Sequence, residues 1–286
     1  MATLINKKRK TIFIHIPKCA GTTISTVLMK NAPGEWVPSS KIENIDALVS
    51  KKIQRNRDKV WSDHARYMDV AAAIGKEEIK DYKVFTATRD PWDRALSTYH
   101  FIRRFDGPLI AELLRGMTFS DFLFYYSKVG AAPQVDWLTD ETGAIADIDL
   151  FDNAEINGRM AEFLLEEFNA DVRDTRENVS VRKAKDASSD TDFVGNVAAK
   201  IFVTTYERDF SDLGYDRFEK GPKHTRGKGD FPIVSESGFV SEAAFWDSRN
   251  LSDDSALTEA LGQYRDMREK STLKLLDLYD ASQRRR

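Results

Sequence analysis

The run Pro17-Lys18-Cys19-Ala20-Gly21-Thr22-Thr23 holds an ammonium group, a glycine and two neighbouring hydroxyls. Set where a strand turns into a helix, such a run receives an anion. The unpaired N–H groups of a helix N-terminus and the helix dipole both point at the ligand. Lys18 adds a full positive charge, Gly21 lets the backbone approach closely, and Thr22 and Thr23 offer hydroxyls as well as amides. A second pair is Arg89 and Ser97. About two helical turns separate them, so a guanidinium and a hydroxyl can reach one anion from the same side. The planar guanidinium fork suits a phosphate monoester. The plainer alternatives are a βα turn with a solvated lysine, a structural arginine and a helix-surface serine.

The loop is not the ordinary nucleoside-triphosphate loop. Its lysine precedes the glycine, and Pro17 stands where a Walker glycine would. A Cys-x5-Arg phosphatase loop is excluded because Ser25 stands six places after Cys19. Cys19 reads as a small packed residue rather than a nucleophile.

Strands and helices must position these groups. Thr11–Ile16 is β-branched and aromatic and predicts a buried strand, with Ile24, Val27 and Leu28 at helical spacing behind the loop. Tyr82–Thr88 predicts a second strand that delivers Arg89. Asp90 then suits an N-cap and Pro91 a first helical position, with the helix running to about Arg103. Helices are expected over 41–56, 118–128, 154–168, 193–213 and 253–281, and short strands at Val60-Trp61 and 149–151. Residues 173–190 and 220–229 read as loops, the latter basic, with Lys220, Lys223, His224, Arg226 and Lys228. The fold class expected is α/β: a P-loop-like parallel sheet flanked by helices, with a helix-rich second half.

Bulk composition limits the function. The chain has 286 residues, 41% of them hydrophobic, which suits one large domain over 1–286. Its 43 basic and 46 acidic residues leave a net charge of −3, so no global basic field calls for nucleic acid. The lone Cys19 gives no internal disulfide and points to a reducing, cytoplasmic compartment. No segment is apolar enough for a transmembrane span, and no acidic or histidine spacing suggests a metal site.

Taken together, the two motifs resemble those of the sulfotransferases that use 3′-phosphoadenosine 5′-phosphosulfate (PAPS). The match is closer to the carbohydrate branch, related to heparan sulfate 2-O-sulfotransferase and its bacterial relatives. Phe13 to Thr23 is similar to that family's 5′-phosphosulfate loop (16–24 here), and Thr88 to Tyr99 to its 3′-phosphate motif. Ser62-Asp63-His64-Ala65-Arg66-Tyr67 resembles its Gly-His-x-x-Tyr segment, with Asp63 in place of the glycine. Weaker echoes are Pro133-Gln134, Glu177-Asn178-Val179-Ser180, and Tyr206 to Phe210 with Gly214-Tyr215. The resemblance covers about residues 11–215.

It implies a sulfuryl transfer from PAPS, leaving adenosine 3′,5′-bisphosphate, with no metal. Lys18 would be catalytic and, with Ala20, Gly21, Thr22 and Thr23, would hold the phosphosulfate. Arg89 and Ser97 would bind the 3′-phosphate. His64 would be the base, since an imidazole has the right ordinary pKa, about 6.5. Of the other histidines, His15 lies inside a strand, His100 on the helix after Ser97 and His224 in the basic loop. The acceptor implied is a hydroxyl on a glycan or glycolipid. Two other readings share the strand-loop-helix logic: a kinase-like P-loop phosphotransferase, and a nucleotide-binding module without catalysis. The sequence sets no oligomeric state.

Overall fold

The computed structural model describes residues 2–42, 64–103, 132–173, 196–217, 232–235 and 238–241, with Phe119, Phe122, Leu123, Tyr126 and Ser127. Residues 43–56 of the helix expected over 41–56, the elements at 60–61 and 253–281, most of 118–128, residues 174–190 of the loop expected over 173–190, and the loop 220–229 lie outside the described residues.

The described chain forms two compact units. The first contains residues 1–94, 132–181 and 208–215. It is built on a sheet of order β3-β1-β2-β4-β5. Its strands are β1 (Leu4–Asn6), β2 (Thr11–Ile14), β3 (Val37–Pro38), β4 (Lys83–Thr88) and β5 (Asp149–Asp152). The three on the β2 side, β2, β4 and β5, run parallel. β1 pairs antiparallel with both β2 and β3. The α/β class is thus as expected, with a mixed sheet around a parallel core. β1 was not anticipated, because its three residues adjoin a basic turn and give too short an apolar run to read.

Side chains alternate across the pleat. Phe13, Phe85, Ala87 and Phe151 share one face, in rows set by the registers Phe13↔Phe85 and Ala87↔Phe151. Helix α1 (Gly21–Asn31) joins that core through Ile24, Val27 and Leu28. Further along, α2 (Tyr67–Ile74), α3 (Pro91–Arg103) and α4 (Val135–Leu138) follow in sequence. Helix α5 (Arg159–Phe168) adds Met160, Ala161, Leu164 and Phe168 at helical spacing. It ends at Asn169, whose φ of 53° is the left-handed cap that a short polar side chain tolerates. Rings lock the cluster, with Phe13 and Phe85 at 5.3 Å and Phe85 and Phe168 at 5.6 Å. Each buried ring contributes about 1.5–3 kcal/mol of apolar transfer.

The second unit contains residues 95–131, 182–207 and 216–286. Tyr99 and Phe122 meet at 5.3 Å, and Phe202 and Tyr206 at 4.8 Å. The Tyr206 hydroxyl donates to the Tyr126 carbonyl at 3.0 Å. The helix expected over 193–213 is two, α6 (Asn196–Thr205) and α7 (Glu207–Asp212), broken at Tyr206. The strands β6 (Pro232–Ser235) and β7 (Gly238–Ser241) make an antiparallel hairpin. Among the described residues no helix is long and apolar enough to cross a membrane.

Candidate active site

The site lies at the carboxyl ends of β2 and β4, where ligands of open α/β sheets usually bind. After β2 the chain makes a tight loop, closed by the Cys19 N–H on the Ile16 carbonyl at 3.3 Å. Lys18 and Ala20 both take the left-handed conformation, with φ of 70° and 61°. Neither is glycine, so each costs about 1 kcal/mol or more, and the surroundings must enforce the shape. Ala20 stands at the N-cap of α1 with no side-chain cap, and no acid lies in the first helical turn. The N-terminal amides of α1 therefore meet no capping carboxylate of their own helix.

Gly21 is required on steric grounds: a Cβ there would overlap the His15 ring. The strand expected over Thr11–Ile16 ends at Ile14, and His15, just past that end, is buried. Cys19 is buried too, and burial pushes its thiol up to about 12. The thiol therefore stays protonated, which fits a packed residue and not a nucleophile. Lys18 and Thr22 are half-buried, and Thr23 is buried.

β4 delivers Arg89 beside this loop. One terminal nitrogen, Nη1, donates to the Lys18 carbonyl at 3.2 Å. Nε is buried and has no hydrogen-bond partner among the described residues. Donor capacity is thus unspent at the point where the two motifs meet, and an anionic group fits that capacity. Asp90 caps α3 by accepting the Asp93 N–H at 3.1 Å, as its type predicted. Ser97 stands two turns along α3, half-buried, in the part of the helix that belongs to the second unit.

His64 meets His15: their ring centroids are 4.5 Å apart, edge to face. Its Nδ1 lies 3.2 Å from the His15 carbonyl. A carbonyl only accepts, so the tautomer that makes this bond carries its proton on Nδ1 and its lone pair on Nε2. The Trp137 Nε1–H donates to the His64 carbonyl at 3.1 Å. The Thr3 hydroxyl donates to the Ala65 carbonyl at 2.9 Å and accepts the His15 N–H at 3.0 Å. Asp63, its neighbour, lies outside the described residues.

Several residues of this region drew little or no notice from sequence. In the sequence Gln134 stands out only through the weak Pro133-Gln134 echo of the family, and Trp137 and Thr3 carry no signal. Arg94 is 1% exposed and ion-pairs with Asp209 at 3.9 Å. It also donates to the Pro17 carbonyl at 3.1 Å and the Ala132 carbonyl at 3.0 Å. Burial raises the Asp209 pKa, while Arg94 and amide hydrogen bonds pull it down. Tyr215 meets Thr88 at 2.8 Å, and burial holds its phenol well above the ordinary range. No spacing rule links residues 94, 134 and 209, so only the fold reveals them. Among the described residues no acid, histidine or cysteine cluster could hold a metal ion.

Residues 1–215 match the model of the sulfotransferase family, and the chain belongs to that family. The matched span contains the whole of the first unit. Membership assigns the chain to the transferases that move sulfuryl groups. No curated protein and no solved structure matches it.

Proposed function

We propose that this chain, acting as one sulfotransferase domain over 1–286, transfers a sulfuryl group from PAPS to an acceptor hydroxyl on a saccharide, in a reducing compartment. The observation that carries the donor is the contact of Arg89 with the Lys18 carbonyl at 3.2 Å, which sets a guanidinium against a helix-capping anion loop. Two anion receptors side by side suit a nucleotide with phosphates on both its 3′ and 5′ carbons. The family generally uses PAPS. The saccharide comes from the likeness of the Phe13–Thr23 and Thr88–Tyr99 motifs to the carbohydrate branch.

When bound, PAPS supplies the sulfuryl group and a phosphate leaving group. Sulfuryl transfer, like phosphoryl transfer, is mainly a problem of position and charge. Lys18 offsets the charge that grows on the bridging oxygen as the S–O bond breaks. The Ala20–Thr23 amides and the Thr22 and Thr23 hydroxyls hold the 5′ end. Arg89 and Ser97 hold the 3′-phosphate. His64 takes the acceptor proton on Nε2 as the new O–S bond forms, while Nδ1 stays on the His15 carbonyl and fixes the ring.

Calorimetric titration tests the donor. Adenosine 3′,5′-bisphosphate should bind without magnesium and much more tightly than 5′-AMP or ATP. Arg89→Ala should cut that preference by about tenfold or more, the size of a charged hydrogen bond. Equal binding of 5′-AMP, or a preference for magnesium-ATP, defeats the proposal. Transfer of radiolabelled sulfate to desulfated glycans, against lipids and small phenols, tests the acceptor.

A further inference from the structure

We infer that Gln134 is the positioning residue that ties the two nucleotide motifs into one receptor. The inference rests on the reading that the loop after β2 and Arg89 take the two ends of the nucleotide.

Gln134 is fully buried. Its Oε1 accepts the Arg89 N–H at 2.9 Å and the Cys19 thiol at 3.1 Å. Its Nε2 donates to the Arg89 carbonyl at 2.7 Å and to Asp209 Oδ2 at 3.4 Å. A primary amide has two N–H donors and two lone pairs, so this side chain is fully used. The pairing with Arg89 is two-point: one amide closes on both backbone polar groups of a residue that has left its strand. The thiol contact falls at the centre of the loop, between the left-handed Lys18 and Ala20.

Gln134 is itself anchored. Asp209 accepts the Gln134 N–H at 2.8 Å and the Val135 N–H at 3.0 Å. Arg94 ion-pairs with Asp209 and bonds to the Pro17 carbonyl, which returns to the start of the loop. The circuit runs Pro17, Arg94, Asp209, Gln134 and back to Cys19, with Arg89 hung on Gln134. Hydrogen bonds in such closed, buried networks are costly to break singly, because each leaves a stranded partner.

The nearest alternatives do not reproduce these contacts. A glutamate lacks the donor and would set a carboxylate against Asp209. An asparagine is one methylene short. An aliphatic side chain would strand the Arg89 N–H and carbonyl. Arg89 can hold a phosphate at a fixed distance from Lys18 only if its own backbone is fixed, and Gln134 supplies that constraint.

The test uses Gln134→Ala and Gln134→Glu in the full chain, each checked by circular dichroism for a cooperative melt. Two readouts go beyond stability. The first is alkylation of Cys19 by iodoacetamide, unambiguous because the chain has one cysteine. In the folded variants its rate should rise at least about tenfold as the loop loosens. The second is the ratio of affinities for adenosine 3′,5′-bisphosphate and 5′-AMP, which should fall about tenfold. Unchanged alkylation and an unchanged ratio in a folded variant overturn the inference. If the wild-type chain itself does not prefer the bisphosphate, the PAPS reading falls, while the alkylation rate still decides whether Gln134 holds the loop. Should neither variant fold, the wild-type chain decides. Under mild denaturant, the bisphosphate should slow Cys19 alkylation more than 5′-AMP does at equal saturation, and equal slowing overturns the inference.

Discussion

β2 is entered from a turn with four consecutive basic residues, Lys7, Lys8, Arg9 and Lys10, and left through a loop with one, Lys18. At the entry, charge is matched by charge. Lys8 meets Glu35 at 2.9 Å, Arg9 meets Glu35 at 3.4 Å, and Lys10 meets Asp81 at 2.7 Å. All three basic side chains are well exposed, so water screens these pairs and they contribute little. At the exit, a single lysine stands beside a helix N-terminus with no acid in its first turn and beside Arg89. The comparison teaches that the density of basic residues does not make an anion site. On the proposed reading, backbone amides, fixed geometry and the unspent Arg89 donor do.

Four results would break or sharpen this contrast. The largest is expected at the exit. Lys18→Ala should lower kcat about 10²–10³-fold, the usual loss when one transition-state charge partner is removed, with an unchanged melt. Kinetics with radiolabelled PAPS measure it, and a loss below threefold would remove Lys18 from the chemistry. Next is Gly21→Ala. Forcing a methyl into the His15 ring should destabilise the fold by about 1–3 kcal/mol, with loss of nucleotide binding. His15→Ala in the same chain should restore part of the stability, and chemical denaturation of the four chains of that cycle reads the coupling.

At the entry, Lys8→Ala should leave both the thermal melt and bisphosphate affinity in place, and a lost affinity would merge the two turns into one site. The smallest effect is a pH dependence. Lys10 holds Asp81 below the usual carboxylate range, and Asp81 holds Lys10 above the usual lysine range. The folded Asp81 value is the lower one, so its contribution is present at neutral pH and lost as pH falls through that value. The folded Lys10 value is the higher one, so its contribution is lost as pH rises through it. The small difference in melting between wild type and Lys10→Ala should therefore be widest near neutrality and vanish at both extremes.

The parts legible from sequence are those with a local signature. The β-branched run of β2, the Asp90-Pro91 start of α3 and the glycine in the loop each follow from a neighbouring residue's chemistry. Lys18 and Arg89 meet because β2 and β4 run parallel, whereas His64 reaches His15 from outside the sheet strands. The partners that shape the loop were not legible. Asp209 buries a carboxylate against Arg94 across 115 positions of sequence, and Gln134 resembles any turn glutamine until the fold brings Arg89 and Cys19 to it. The two left-handed residues at Lys18 and Ala20 were hidden for the same reason. No local rule puts a lysine and an alanine there, and the tertiary hydrogen bonds from Arg89 and to Gln134 add to the local Cys19–Ile16 turn in holding the loop.

The ties around His64 also bear on how the chain folds. Its ring bonds to a carbonyl 49 residues away, its own carbonyl to an indole 73 residues away, and the next carbonyl to a hydroxyl 62 residues away. Contacts of such long sequence separation close only after large loops have been ordered, so they form late. A refolding chain should therefore protect the amides of the local β1–β2 pair, which joins Leu4 to Phe13 and Asn6 to Thr11, before it presents a placed imidazole. Nucleotide affinity, which on the proposed reading needs the Arg89 contact with a carbonyl 71 residues away, should return after that protection and not together with it.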